Sequence, residues 1–585
     1  MIFLGIKLTH DGGLALIDDG KLIFSYEMEK INNNFRIQEF NLSIDQIKTI
    51  LKEYGYSFSQ IDKIAIDGWT NSISAWEKPE NNYAVLKNFS LNNSEINIEL
   101  AAYGHLVSEN EDILDRKEHT ISDLNFPYES YKHIAGHVFG GYCTSSFAKE
   151  KKDSYILIWD GGMPPQLFYF KYKTKEVINL GCLFHFFGSI YAGFPHEFEP
   201  FNKEVKYDYS VPGKLMAYIA LGKENNSIVD RLMEIYKEVV EEYSQSEMHA
   251  GIFAGITQKF SEYSKNCAFL KNFDSKDILS SFHKFLEILL IKSLKEKVEQ
   301  NPHFDKNICF AGGNALNIKW NHEIKASNIF ESIWIPPFPN DSGSAIGVAC
   351  CSMVYNTKEV VLNWGVYKGP SIINDVAKIE FSLFNDLKNK LIDSSSFWKY
   401  AFQYSYHSRE FDIKDLARLL HEKKEPILFL NGRAELGPRS LGNRSILSPA
   451  NSKEMKSILN KLKIREAYRP VAPICMEEES SEVFEPGGSD PYMLFEHQVR
   501  EEWKEKIPAV VHLDGSARLQ TINIEQNKEV YELLKHYKEL SGIPLLCNTS
   551  ANLKGRGFFP NLKSAINWGK VNYIWSEGVL YSKYK

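Results

Sequence analysis

The chain has 585 residues and a formal net charge of −7, with 43% hydrophobic and 24% charged residues. This is the composition of a soluble globular protein of about two to four domains. The acidic balance argues against nucleic acid or an anionic membrane as the main partner, because proteins that bind such polyanions are usually basic. The eight cysteines include no CxxC pair, and the N-terminal apolar run is too short for a signal peptide. We therefore expect a cytoplasmic enzyme.

The N-terminal residues predict a strand meander, in which MIFLGIKL, LALID and KLIFSYEME are strands separated by the turns THDGG and DDG. A helix, LSIDQIKTILKEYG, and a strand, DKIAIDGW, follow, whereas residues 70–130 are irregular and receive no elements. The pattern of strand, DGG turn, strand, turn and strand recurs in SYILIWDGGMPPQLFYFKYKTKEVINLG. Two such halves are typical of the actin-like or sugar-kinase-like architecture, whose ligand lies in a cleft between lobes.

Further along the chain, a long helix around residues 278–300 precedes NICFAGGNALN, which predicts a strand, a Gly-Gly turn and a helix start. A strand, ESIWIPPF, leads into PNDSGSAIGVACCSMVY, a loop followed by a helix. Residues 356–400 are polar and predict a linker, and the remainder alternates helix and strand. We predict an α/β protein with one domain over residues 1–360 and a second over residues 361–585.

The segment HIAGHVFGGY places His133 and His137 four positions apart. On a helix this spacing brings both side chains onto one face, about 5–6 Å apart, as two ligands of one metal ion require. The segment is not the HExxH zinc-protease motif, because Ile134 occupies the second position. Paired helical histidines are more often structural, so the pair alone leaves both interpretations open.

Two acidic turns favour the metal. Asp160 follows an apolar strand in WDGG, and Asp341 lies between strand and helix in FPNDSGSAIG. Strand ends converge on a cleft in α/β sheets, and two histidines with carboxylates suit iron(II), zinc or manganese rather than calcium. Each aspartate alone is explained equally by a turn or a helix N-cap. With both present, the sequence predicts a metal site.

The stretch NGRAELGPRSLGNRSILSPA holds three arginines among glycine and proline turns, and KIREAYRPVAP, HLDGSARLQT and LLCNTSANLKG follow it. Arginine pairs bidentately with phosphate, and N–H groups of turns add further donors. One arginine is usually a solvated surface charge. This concentration of basic residues inside an acidic protein instead predicts a phosphate or nucleotide site in the second domain.

Three weaker signals lie in the first domain. GGNALN is a Gly-rich turn that opens a helix and can hold the phosphate or ribose of a nucleotide, and a lysine in SVPGKLMAYIALGK can contact an anion. His10 and Asp11 can act as a base and its orienting residue, although a polar hairpin turn explains them equally well. The nucleotide candidates are Gly312, Gly313, Asn314, Asn317 and Lys214.

Together these segments resemble the NodU/CmcH-type O-carbamoyltransferases, which act on nodulation factors and antibiotics. HIAGH, WDGG and PNDSGSAIG are similar to the family's metal motifs, and GGNALN, GRAELGPRSLGNRSIL, KIREAYRPVAP, HLDGSARLQT and LCNTSANLKG to its remaining blocks. They occur in the family's order over nearly the whole chain. The resemblance implies a two-lobed actin-like (ASKHA-type) metal domain followed by a YrdC-like α/β domain, and a homodimer.

By this resemblance, the second domain makes carbamoyl-adenylate from carbamoyl phosphate and ATP with magnesium, releasing phosphate and pyrophosphate. The first domain then passes the carbamoyl group to a hydroxyl of a small-molecule acceptor, a natural product or sugar. The resemblance implies iron(II), acting as a Lewis acid, on His133, His137, Asp160 and Asp341. It makes His10, Asp11 and Lys463 catalytic candidates. The implied ligands of carbamoyl phosphate and nucleotide are Arg439, Arg444, Lys463, Arg465, Arg518, Asn548 and Ser550.

The chain departs from the family pattern at several positions. GMPPQ follows Asp160 and Gly161 where a short acidic stretch is usual, and Pro212 and Ala217 replace an acid and a glycine. Ala551 stands where an aromatic residue is usual. These changes bear on the acceptor and on nucleotide contacts in the first domain, and they leave the metal set intact.

Two alternatives remain open. One is a threonylcarbamoyl-type transferase acting on tRNA, against which the acidic charge and the absence of a basic stripe count. The other is a ligand-binding descendant without catalysis, against which the intact basic motifs count. Pyrophosphate release that requires carbamoyl phosphate, or threonine with bicarbonate, or no release at all, distinguishes the three.

Overall fold

The computed structural model describes residues 1–34, 38–69, 83–86, 96–108, 111–121, 126–205, 210–246, 248–373, 375, 406–553 and 556–583. It divides into two compact units. Unit 1 comprises residues 1–25 and 39–365, and unit 2 comprises residues 26–38 and 366–585. Most of the expected linker at 356–400 lies outside the described residues. The assignment of one function to residues 1–360 and another to residues 361–585 stays a prediction.

The first sheet of unit 1 begins with the predicted meander. Its strands, with the separate hairpin β5–β6, are β1 (Ile2–Lys7), β2 (Gly13–Asp18), β3 (Lys21–Glu27), β4 (Lys63–Asp67), β5 (Tyr83–Leu86), β6 (Ile96–Glu99), β7 (Arg116–Ile121) and β8 (Phe126–Tyr131). The sheet order is β3-β2-β1-β4-β8-β7. β1 pairs antiparallel with β2 and parallel with β4.

The second sheet repeats this arrangement. Its strands are β9 (Ser154–Ile158), β10 (Gln166–Lys171), β11 (Glu176–Cys182), β12 (Asn307–Ala311) and β13 (Ser332–Trp334), in the order β11-β10-β9-β12-β13. β9 pairs antiparallel with β10 and parallel with β12, as β1 does with β2 and β4. The two DGG turns therefore open two equivalent sheets, and the predicted actin-like architecture is confirmed.

Helices cover these sheets. Among the described residues up to 357, the α-helices are α1 (Met28–Ile31, in unit 2), α2 (Ile44–Glu53), α3 (His133–Cys143), α4 (Ser146–Lys149), α5 (Ile190–Gly193), α6 (Val211–Tyr218), α7 (Asn226–Glu242), α8 (Ala250–Asn266), α9 (Ser275–Gln300), α10 (Ile318–Ala326) and α11 (Ser344–Thr357). Side-chain caps fix several starts, for example the reciprocal Ser43–Gln46 capping box of α2. Among the described helices, none is both long and apolar enough to cross a bilayer.

Helices α3 and α11 pack face to face in the centre of unit 1. α11 also contacts β1, β2 and β4 of the first sheet, and α3 contacts β9 and β12 of the second. Every residue of α3 is buried. Glycines permit the close approach, since a Cβ at Gly347 would lie 2.1 Å from the main-chain oxygen of Gly136. This packing fixes the starts of both helices relative to the strand ends.

A substitution at Gly347 tests this constraint. In Gly347→Ala one helix must move, so we expect a lower thermal unfolding midpoint, with a cost of about 1–3 kcal/mol. Gly141→Ala is the matched control, because its Cβ would lie 3.6 Å from the Ala311 Cβ, an ordinary contact. Equal unfolding midpoints for the two variants, measured by calorimetry, would contradict the packing described.

Unit 2 is a second α/β structure. Its elements after residue 400 are β14 (Tyr406–Glu410), α12 (Ile413–Lys423), β15 (Ile427–Leu430), β16 (Arg444–Ser448), α13 (Lys453–Leu462), β17 (Ala472–Met476), α14 (Ser480–Val483), β18 (Phe484–Glu485), β19 (His497–Val499), α15 (Glu501–Lys504), β20 (Ser516–Ala517), β21 (Gln520–Ile522), α16 (Lys528–Ser541), β22 (Leu545–Ser550), α17 (Leu562–Trp568), β23 (Tyr573–Ser576) and β24 (Val579–Lys583). A mixed sheet runs β14-β24-β23-β15-β16-β22-β17-β21, and β18-β19-β20 form a small second sheet. This agrees with the predicted fold class, a YrdC-like α/β domain.

Candidate metal centre and anion site

Four side chains of unit 1 converge at one buried point. His133, His137, Asp160 and Asp341 each offer one ligand atom, and these atoms lie within 4.8 Å of one another. The two histidine Nε2 atoms are 3.2 Å apart, and the Asp341 Oδ1 lies 3.4 Å from the Nε2 of His133. Ligands bound at about 2.1 Å to one ion are separated by about 3.0–3.4 Å. The geometry therefore fits the metal site predicted from the sequence.

Strand and helix ends bring these residues together. His133 is the first residue of α3, and Asp341 lies in the short 3-10 turn that leads into α11. Asp160 follows β9, and its Oδ1 accepts a hydrogen bond of 2.6 Å from the main-chain N–H of Gly313. The Gly-Gly turn after β12 thus holds one metal-ligand carboxylate in place.

A further aspartate orients the first histidine. The Nδ1 of His133 lies 2.9 Å from the Oδ1 of Asp67, a buried residue at the end of β4. Metal-bound histidines usually donate their second ring N–H to a carboxylate in this way, and the contact fixes the tautomer. The contact therefore leaves the Nε2 of His133 for the ion.

Lys7 completes a buried charge network. Its Nζ lies 2.9 Å from the Oδ2 of Asp67 and 3.2 Å from the Oδ2 of Asp341. Lys7 balances the charge of Asp67, so the carboxylates of Asp160 and Asp341 leave a deficit that a divalent cation neutralises. Two imidazoles with two carboxylates are a donor set suited to iron, zinc or manganese. The residues present therefore fit such an ion.

The network shifts the ionisation of its members. Burial opposes the charge on Asp341, but Lys7 and His133 hold the pKa of its carboxyl well below the usual range. Burial and the nearby Lys7 lower the pKa of His133, but Asp67 and Asp341 together outweigh them and raise it to about 9. Burial favours neutral Lys7, yet Asp67 and Asp341 raise its pKa. The charged form of each of these groups is therefore stabilised by its oppositely charged neighbours.

The predicted base lies beside this centre. The His10 Nδ1 is 3.4 Å from the Oδ2 of Asp341 and 3.6 Å from the Oδ2 of Asp11, and one fifth of the His10 side chain is exposed. Burial lowers the pKa of His10, which favours the neutral imidazole that a general base requires. Asp11 takes a left-handed φ of 53°.

Half-buried aromatic rings border the centre. The Tyr103 hydroxyl donates to the Oδ2 of Asp160 at 3.2 Å, and its ring stacks on His133 with centroids 4.8 Å apart. The Trp69 ring lies 4.4 Å from that of His10. Burial near Asp160 and Asp341 raises the pKa of Tyr103 well above its usual value. A partly exposed aromatic surface therefore adjoins the base and the ligands.

The other first-domain candidates have mixed outcomes. Gly312 has a φ of 92°, and a Cβ there would lie 2.4 Å from the Trp159 oxygen, so the turn requires glycine. The Asn314 amide donates to the Trp159 oxygen at 3.3 Å, and the Asn317 side chain caps α10. Lys214 lies 2.8 Å from the Glu204 Oε2. These contacts give the turn a structural role beside any nucleotide contact.

Lys463 organises the candidate site of unit 2. Its Nζ donates to the Ser550 oxygen at 2.6 Å, to the Ser550 Oγ at 3.2 Å and to the side-chain oxygen of Asn552. The neighbouring Arg465 donates to the Thr549 Oγ1 at 3.2 Å. The structure thus brings Lys463, Arg465 and Ser550 together at the end of β22.

Two predicted ligands of unit 2, Arg444 and Asn548, make several hydrogen bonds to the protein itself. The Arg444 guanidinium is buried and donates to the main-chain oxygens of residues 370, 431, 432 and 443. Burial lowers its pKa to about 10. The Asn548 amide donates to the Ser440 oxygen at 3.0 Å and to the Gln520 Oε1 at 2.8 Å. Both side chains hold loops through these contacts, and their binding of carbamoyl phosphate or nucleotide stays a prediction.

The remaining arginines favour an anion. Burial and the neighbouring guanidinium of Arg469 lower the pKa of Arg518 to about 10. Two like charges near each other inside a protein repel, and a bound anion relieves the repulsion. Arg439, half-buried, lies in the loop between Gly437 and Arg444. Unit 2 therefore presents several cationic side chains suited to phosphate.

The fold and the two clusters define a two-unit α/β protein with a candidate metal centre and a candidate anion site. Residues 2–350 match the family model described as "Carbamoyltransferase N-terminus", and residues 417–583 match "Carbamoyltransferase C-terminus". The chain belongs to this carbamoyltransferase family.

Named relatives agree with this membership. The chain is 40% identical to Nodulation protein U of Rhizobium tropici, over 100% of the chain and 96% of that protein. It is 27% identical to the 3'-hydroxymethylcephem-O-carbamoyltransferase of Streptomyces clavuligerus, over 97% and 96%. The phosphate- and nucleotide-bound structure of full-length HypF is 9% identical with a TM-score of 0.29, over 61% of the chain and 56% of HypF. That likeness is too low to add to the topology.

The orienting carboxylate yields a prediction. In Asp67→Asn the Nδ1 of His133 loses its anionic partner, so we expect the affinity for a divalent transition metal to fall about 10–100-fold. Isothermal titration calorimetry with Mn²⁺ measures this change. Asp62→Asn is the control, because Asp62 immediately precedes the same strand and accepts only from the Ile2 N–H among its described contacts. Equal affinities of the two variants would show that Asp67 does not support the centre.

Proposed function

We propose that the chain is an ATP-dependent O-carbamoyltransferase that divides its reaction between the two units. Family membership supports carbamoyl transfer. The division of labour rests on the two clusters, a carboxylate–histidine centre in unit 1 and a lysine–arginine cluster in unit 2. The contact of Lys463 with Ser550 carries the assignment of unit 2 most directly, because it joins two separate motifs at one point.

The first half-reaction occurs in unit 2. Water cleaves carbamoyl phosphate to carbamate and phosphate, and a carbamate oxygen then attacks the α-phosphorus of ATP. Carbamoyl-adenylate forms and pyrophosphate leaves, with magnesium accompanying ATP. Lys463, Arg465, Arg518 and Arg439 neutralise the phosphate charges, and fixed cations of this kind stabilise the transferring group most effectively.

The second half-reaction occurs in unit 1. His10, neutral and partly exposed, accepts the proton of an acceptor hydroxyl, and Asp11 orients its ring. The hydroxyl oxygen bonds to the carbamoyl carbon, and AMP leaves. His133, His137, Asp160 and Asp341 would hold a metal, which we propose to be iron(II) and which would supply Lewis-acid polarisation of the carbonyl. Tyr103 holds the Asp160 carboxylate in place for that ion.

The acceptor is a small molecule with a hydroxyl group. Support comes from the name of the Streptomyces relative, an O-carbamoyltransferase of a hydroxymethyl group. The partly exposed rings of Trp69 and Tyr103 beside His10 offer flat apolar surface to such an acceptor.

Pyrophosphate release tests the first half-reaction. Purified protein is supplied with MgATP, with and without carbamoyl phosphate and with no acceptor. We expect release that requires carbamoyl phosphate and falls at least about 100-fold in Lys463→Ala, because a preorganised cation at the reacting phosphates is lost. Lys461→Ala, an exposed lysine in the last turn of α13, is the control.

Three other outcomes contradict the proposal. Release that requires threonine with bicarbonate would identify a threonylcarbamoyl-type enzyme. No release under any condition would favour a ligand-binding protein. Equal loss in Lys461→Ala and Lys463→Ala would remove the role of Lys463.

A further inference from the structure

A short N-terminal segment belongs to unit 2 rather than unit 1. Residues 26–38 are counted with unit 2, and α1 (Met28–Ile31) lies within them. Glu27, Glu29 and Lys30 are all almost fully buried. Buried charges are costly unless they are paired and hydrogen-bonded. Three buried charged residues within four positions therefore require a specific set of partners.

Two of these residues, Glu27 and Lys30, have partners on the loop that carries Arg439. The Lys30 Nζ donates to the main-chain oxygens of Glu435 at 2.6 Å and Gly437 at 2.5 Å. The Gly437 N–H donates to the Glu27 Oε1 at 2.8 Å. Glu27 and Lys30 pair with each other at 3.1 Å. Two side chains thus hold both the oxygens and an N–H of one three-residue stretch.

The rest of the loop is held from within. Glu435 is fully buried, and its Oε1 accepts from the Leu441 N–H at 2.5 Å. Asn548 donates to the Ser440 oxygen, and Gln520 donates to the Leu441 oxygen at 2.8 Å. Arg439 lies between these anchored points. Its position follows from the anchors on either side.

The same segment also meets a second loop of unit 2. The Lys30 ammonium lies over the Phe558 ring, 5.2 Å from its centroid, and the Gly557 N–H donates to the Asn34 oxygen at 2.6 Å. A Cβ at Gly557 would lie 2.1 Å from the Glu29 oxygen. Residues 27–34 therefore pack against two loops that flank the candidate anion site.

We infer that Glu27 and Lys30 are positioning residues of the carbamoyl-phosphate site: they fix the main chain of Glu435–Gly437 and so place Arg439 for the substrate phosphate. This inference rests on the proposed function of unit 2. An ion pair that only stabilised the fold would be replaceable by apolar side chains. An ion pair that positions a phosphate-binding side chain has a different effect. Its removal weakens substrate binding, because a small displacement of the binding group weakens its contact with the substrate.

Steady-state pyrophosphate release by the full chain tests the inference. We expect Lys30→Met to raise the KM for carbamoyl phosphate about 10-fold or more, with little change in the KM for ATP. Arg439→Ala should raise the same KM. Since Lys30 acts through Arg439, the double variant should have the KM of Arg439→Ala alone. Lys30→Arg, which keeps the charge, should restore much of the lost affinity.

Two further variants separate positioning from folding. Glu27→Gln/Lys30→Met removes both charges, leaves no buried ion unpaired, and should raise the KM as Lys30→Met does. Lys538→Met breaks the Lys538–Glu479 pair elsewhere in unit 2 and should leave the KM unchanged. An unchanged KM in the charge variants, or independent effects of Lys30→Met and Arg439→Ala, overturns the inference. Wild-type protein without carbamoyl-phosphate-dependent release would instead overturn the proposed function itself.

Discussion

The site of unit 1 depends on one buried ion pair, between Lys7 and Asp67. The two residues end neighbouring parallel strands, β1 and β4, whose register pairs residues 60 positions apart. Lys7 also contacts Asp341, and Asp67 also contacts His133, so the pair touches both helix starts that supply metal ligands. Buried charges of this kind are stable only as a complete set. Removing either member takes away a direct ionic partner of the other, beside two of the candidate ligands.

The close packing of α3 and α11 makes that network possible. Glycines at the crossing allow the two helices to approach until their starts lie beside the strand ends. The candidate ligands come from the start of α3, from the turn after β9 and from the turn before α11. The duplicated topology thus places side chains from both halves of unit 1 around one point. In unit 2, charged and amide side chains instead form hydrogen bonds with the main-chain atoms of loops. There, Arg444, Asn548, Glu27 and Lys30 set the position of loops that carry other cations.

Local sequence patterns predicted the duplicated sheets and the candidate metal centre of unit 1. The two DGG turns identified the duplicated sheets, and the spacing of His133 and His137 with two strand-end aspartates identified four residues that the structure brings together. Asp67 and Lys7 were missed because each is a single charge ending an apolar strand, and the register that joins them is tertiary information. Asp67 was detectable in principle, since it ends a strand at IDG as Asp160 follows one at WDGG.

Arg444 shows another limit of sequence reasoning. An arginine among glycine turns predicts a polyanion from the sequence alone, whereas its contacts with four main-chain oxygens follow from the tertiary fold. The segment around Lys30 was assigned to the first domain because it follows a strand of that domain in the chain. A four-residue helix carries too little periodicity to show which core it joins.

An anomalous difference map, recorded at the absorption edge of the transition metal bound to the crystallised full chain, tests the central claim most directly. We expect one peak in unit 1, about 2.0–2.3 Å from the Nε2 atoms of His133 and His137 and from oxygens of Asp160 and Asp341. Lys7 and Asp67 lie outside the coordination sphere. A peak bonded to Asp67, or the absence of any ion at these four residues, would contradict it.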